Sequence, residues 1–170
     1  EMELFPEIAK MNAMLEYELK MAKQFIASGA FPGKTPEQAY VIIKAGETLG
    51  LNPMQALGQL YVVNGNIGFW GAGLVAQLTK HGVKFFYENE TPNSVTVKAI
   101  YQNETITETV KDTDQILQKS KAMTFAKKNK MRFHGIRMIA NFYLSHLLHG
   151  ISVWEPDDIE ASKELQAGED

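Results

Sequence analysis

Three short runs decide how this chain folds: Val83-Lys84-Phe85-Phe86-Tyr87-Glu88-Asn89-Glu90, then Ser94-Val95-Thr96-Val97-Lys98-Ala99-Ile100-Tyr101, then Thr105-Ile106-Thr107-Glu108-Thr109-Val110. Side chains along a strand point alternately to two faces, so Val95, Val97 and Ala99 share one side and Thr96, Lys98 and Ile100 the other. Thr91-Pro92-Asn93 and Gln102-Asn103-Glu104 separate the runs with residues that favour turns. The pattern predicts a three-stranded antiparallel meander with one wet face.

Working outward, the period changes from two to that of a helix. Gly71 to His81, closed by Gly82, reads as a short helix. Before it, Leu60-Tyr61-Val62-Val63 and Asn66-Ile67-Gly68-Phe69-Trp70 flank Asn64-Gly65, a strong hairpin signal because a type I′ turn needs positive φ at both central residues. Thr35-Pro36-Glu37-Gln38 reads as a helix start, with a capping threonine, a proline in the first turn and an early acid. That helix runs toward Gly50, and Asn52-Pro53 opens another helical turn over Met54 to Leu57. From Pro6 to about Ser28, Ile8, Met11, Leu15, Leu19, Ala22 and Ile26 recur at spacings of three and four and predict one buried stripe. Downstream of the meander, helices are predicted from Asp112 to about Lys128 and from about Arg132 to Leu148. The fold class is therefore α+β, with N-terminal helices, a β-hairpin and a meander packed against C-terminal helices. The expected organisation is an N-terminal helix over 1–30 that serves oligomerisation, a single core over 31–154, and an acidic, flexible tail over 155–170.

At 170 residues and 45% hydrophobic content the chain is large enough for a substantial core. No apolar run approaches the roughly 20 residues of a bilayer span. The absence of cysteine excludes disulfides and thiolate chemistry, and the acidic first residues lack a basic signal-peptide region, so a cytoplasmic location is expected.

Net charge is −3, yet the charge is unevenly placed. From Gln115 to Trp154 there are seven basic residues and no acid, whereas the other ten basic residues share the remainder with all 20 acids. A polyanion responds to the potential within a Debye length of about 8–10 Å, so the local arm matters more than the total. Lys121, Lys127, Lys128, Lys130, Arg132 and Arg137 are the expected phosphate contacts. Phe125, Phe133, Phe142 and Tyr143 interleave with them, and the hairpin residues Trp70 and Phe69 are candidates for base stacking, the pairing of features that single-strand binding uses.

Other chemistry finds less support. His146 and His149 form an H-x-x-H, but a metal site needs further ligands, and the nearest acids, Glu155, Asp157 and Asp158, lie beyond a turn. No G-x-S-x-G elbow is present, and Ser145 beside His146 points elsewhere on a helix. Gly65, Gly68, Gly71 and Gly73 match neither the phosphate-loop nor the dinucleotide fingerprint. The expectation is a protein that is not an enzyme and carries no metal or cofactor.

The order of elements resembles the phage RecT/lambda Beta superfamily of single-strand annealing recombinases, especially RecT-like members. The resemblance is carried by Thr35-Pro36-Glu37-Gln38-Ala39, by Leu49-Gly50-Leu51-Asn52-Pro53-Met54-Gln55-Ala56-Leu57, and by Tyr61-Val62-Val63-Asn64-Gly65. Lys80-His81-Gly82, the meander, a basic helix and Val153-Trp154-Glu155-Pro156-Asp157-Asp158 follow in matching order, over roughly residues 25–160. The resemblance implies ATP-independent annealing of single-stranded DNA in homologous recombination, in a phage or prophage setting. It further implies assembly into rings or filaments and a phage exonuclease as partner. Lys130, Arg132 and Arg137 fall where the family carries basic residues. Asn66, the stretch Phe69-Trp70-Gly71-Ala72 and Ser145 depart from its pattern of basic and polar positions. The alternative is a non-catalytic interaction module of a mobile element that binds an acidic partner.

Overall fold

The computed structural model describes residues 4–63, 65–151 and 153. The elements run α1 (Leu4–Ala27), α2 (Pro36–Thr48), α3 (Pro53–Gln59), β1 (Leu60–Val63), β2 (Asn66–Phe69), α4 (Gly71–Lys80), β3 (Lys84–Thr91), β4 (Ser94–Tyr101), β5 (Glu104–Lys111), α5 (Gln115–Lys119) and α6 (Lys127–Tyr143). Short 3-10 turns cover Lys121–Thr124 and Ser145–Leu148. The mixed α+β class is as the sequence predicts. Packing divides the chain after Val62 into two compact units.

In the first unit α1 packs on α2 and α2 on α3. Both following helices begin with reciprocal capping boxes. Thr35 accepts from the Gln38 amide while the Gln38 side chain accepts from the Thr35 amide, and Asn52 and Gln55 do the same for α3. Each box satisfies two otherwise orphaned donors. Gly46 lets α3 approach α2 closely: a Cβ there would lie 2.5 Å from that of Ala56. The predicted stripe on α1 is covered only in its second half, around Ala22. Ile8, Met11 and Leu15, expected to be buried, are exposed.

In the second unit the meander has the order β3-β4-β5. Val97 pairs with Tyr87 on one side and Glu108 on the other, and Ala99 with Phe85 and Ile106. Val95, Val97 and Ala99 are buried, as their alternation predicts, and α6 lies across β4 and β5. Gln102 and Asn103 both have positive φ, matching a two-residue turn that suits the twist of the hairpin. In the first hairpin Gly65 has φ 76°, while Asn64 lies outside the described residues, as does the expected acidic tail over 155–170.

The C-terminal helices depart from expectation. One helix from Asp112 to Lys128 is instead α5, a 3-10 turn, and the start of α6 at Lys127. The last helix begins five residues earlier than Arg132 and ends at Tyr143, leaving His146 in a 3-10 turn and His149 left-handed at φ 52°. The two histidines are therefore not stacked on one α-helical face.

Candidate nucleic-acid interface

The site is built on α6 and the strand beside it. Its first turn holds Lys127 and Lys128, no acid, and no side-chain cap. Cations there oppose the helix dipole by roughly 0.3–1 kcal/mol each. Acids from the meander answer them. Lys127 Nζ lies 3.0 Å from Asp112 Oδ2 and 3.4 Å from Asn93 Oδ1, and Lys128 Nζ lies 3.3 Å from Glu90 Oε1. Arg132 donates to both oxygens of Glu90, from Nε at 2.6 Å and Nη2 at 2.8 Å, and its guanidinium carbon sits 4.2 Å from the Tyr87 ring centroid. The forked bond from Arg132, with Lys128 beside it, holds the Glu90 carboxyl down at about 2, although partial desolvation pushes the other way. The same pair raises the Arg132 guanidinium. Burial raises the Tyr87 phenol, partly offset by the charge of Arg132.

Glu90 reaches α6 through an irregularity. Strand alternation puts Tyr87 on the α6 side and Glu88 on the open side, where it pairs with Lys98 at 3.3 Å. Regular continuation would carry Glu90 to the open side as well. Instead, three residue steps from Glu88 to Thr91 face two from Thr96 to Ser94, and Asn89 takes a left-handed φ of 50°. This bulge inserts one residue and brings Glu90 round to α6.

The remaining expected phosphate contacts divide. Lys121 is exposed in its 3-10 turn, and Lys128, with 67% of its side chain exposed, is more open than Lys127 or Arg132. Lys130 is 4% exposed and Arg137 1% exposed, so neither lies open to solvent. Arg137 donates to His134 Nδ1. With His134 as the Nε2–H tautomer, that nitrogen points at Asp114 Oδ2, 3.4 Å away. The other oxygen of Asp114 caps α5 by accepting from the Ile116 and Leu117 amides. Arg137 and His134 are both buried, so Arg137 is corrected from phosphate contact to structural residue. Phe69 is fully buried and cannot stack on a base, because its hairpin position turns it into the core. Trp70, the capping residue of α4, is 40% exposed.

An open groove of about 750 Å³ runs between α4 and α6. Gly71, Ala72, Val75, Ala76 and Thr79 form one wall with only small side chains, and Tyr87, Asn129, Lys130, Arg132 and Phe133 line the other side. A second hollow of about 420 Å³ lies beside Glu90, Thr91, Pro92, Ser94, Lys127 and Lys128. Sequence reasoning missed Glu90, Asp112, Tyr87 and the Asp114–His134–Arg137 chain. Among the described residues no three or more histidine, aspartate or glutamate side chains gather as a metal site would require, and no helix is long and apolar enough to cross a membrane. Compared with protein-family models, curated proteins and solved structures, the chain matches none.

Proposed function

We propose that this chain binds single-stranded DNA through its second unit and, assembled from several copies, anneals complementary strands without ATP or covalent chemistry. The observation that supports this reading most is the groove between α4 and α6, where Arg132 shares one cleft with the rings of Tyr87 and Phe133. A single strand needs cations for its phosphates and flat apolar surfaces for its bases, and sequence-independent binders combine the two. Lys121 and Lys128 extend the positive surface beyond the groove, and exposed Trp70 adjoins it at the start of α4.

Assembly would use α1, whose first half carries Phe5, Ile8, Met11 and Leu15 in the open at spacings of three and four. A phage exonuclease as partner, a role in recombination and a cytoplasmic setting belong to the same proposal. The competing module reading draws on the same cations and expects an acidic protein in the groove.

Fluorescence anisotropy of a labelled oligonucleotide over a range of salt tests the choice. With Arg137 in the core and Lys130 nearly so, about three phosphates are neutralised, and log K should fall against log salt with a slope near −2. No measurable binding, or binding that ignores salt, removes the DNA reading.

A further inference from the structure

We propose that Glu90 occupies a phosphate subsite of the strand path and is displaced when DNA binds. This rests on the single-strand reading above and adds to it a built-in competitor. One carboxylate bridges two cations that belong to different hollows, Arg132 on the groove side and Lys128 on the side of the second hollow. Carboxylate and phosphate oxygens are recognised by the same forked guanidinium geometry, so the partners that hold Glu90 also fit a phosphodiester. Tyr87 keeps the guanidinium in place from its face, leaving the edge for the anion.

Position supports the same reading. A backbone leaving the groove at Arg132 and entering the hollow between Lys127, Lys128 and Ser94 crosses the spot where Glu90 sits. The glutamate arrives there only because of the bulge at Asn89, which takes a left-handed φ of 50°. The trio is also accessible, with side-chain exposures of 67% for Lys128, 29% for Arg132 and 24% for Glu90. With one acid for two cations it keeps a net positive charge that a strand can use.

The test compares oligonucleotide affinity for the wild type, Glu90→Gln and Glu88→Gln, each checked for folding by thermal melting. Both substitutions remove one negative charge, but Glu88 pairs with Lys98 on the other side of the sheet. Releasing an ion pair of this exposure is expected to tighten binding about three- to five-fold in Glu90→Gln, with a salt slope steeper by about 0.7. Glu88→Gln should stay within about two-fold of wild type, since its carboxylate is held by Lys98 and occupies neither Arg132 nor Lys128. If Glu90→Gln does not fold, Glu90→Asp keeps the charge but shortens the reach to Arg132 and should also bind more tightly than wild type. Binding by all proteins with Glu90→Gln no tighter than Glu88→Gln overturns the competitor and leaves the DNA reading standing. Absence of binding by every protein, wild type included, removes both.

Discussion

Gly135 shows how a single position can oppose local propensity. Within a helix, glycine is about 1 kcal/mol less favourable than alanine. Yet a Cβ at 135 would lie 2.3 Å from Val97 Cγ2 and 2.9 Å from Val97 Cβ, deep in the packing of α6 on the meander. Overpacking of that kind costs typically 1–3 kcal/mol, so Gly135→Ala should lower stability by about 1–2 kcal/mol net, despite the better helix former. Urea unfolding measures this directly, and an unchanged or higher midpoint would contradict the packing. Glu90 gives a second residue-scale expectation. Its carboxyl is held at about 2 in the fold against an ordinary value of 4.5, so its ion pairs stabilise fully above about pH 4.5 and the contribution fades as pH falls toward 2. The melting temperatures of wild type and Glu90→Gln should therefore differ at pH 6 and converge near pH 2; a gap that persists at pH 2 would place the stabilisation elsewhere.

At the scale of elements, the bulge in β3 does most to shape the site. Asn89 tolerates left-handed φ better than a β-branched residue does, so Asn89→Val should cost about 1–2 kcal/mol in denaturant unfolding and loosen the hold of Glu90 on Arg132. Unaltered stability would mean that the bulge carries no strain. Elements set by neighbouring residues were legible in the sequence. The capping boxes at Thr35 and Asn52 span four residues each, and the meander follows from alternation around Val95, Val97 and Ala99. The start of α6 was not, because Lys127 and Lys128 in a first turn contradict the usual preference for acids, and the break before it contains neither glycine nor proline. The site was legible only as a run of cations. Which of them face outward depends on the rotation of α6 over β4 and β5. The acids that meet them come from positions 15 to 42 residues earlier, which a count along the chain cannot bring together.

For the molecule as a whole, an excess of acids coexists with an arm free of them, but folding changes what that arm offers. Arg137 goes into the core, Lys130 nearly so, and Glu90 and Asp112 fold back onto Lys127, Lys128 and Arg132. The surface left to attract a polyanion is smaller than the sequence count, and two groups of variants separate its parts. Replacing Lys121, Lys128 and Arg132 together with glutamine should weaken oligonucleotide binding at least about ten-fold and flatten its salt dependence, because every phosphate left without its cation takes about 0.7 from the slope. Since exposed ion pairs contribute only up to about 1 kcal/mol each, the same triple variant should remain folded. Arg137→Met should do the reverse. It takes the donor from the buried His134 Nδ1, at a cost of about 1–3 kcal/mol in unfolding measurements, while the folded fraction binds DNA like wild type. If Arg137→Met instead abolished binding with stability intact, the buried arginine would have to reach the strand, and the division of α6 into an inner and an outer side would be wrong.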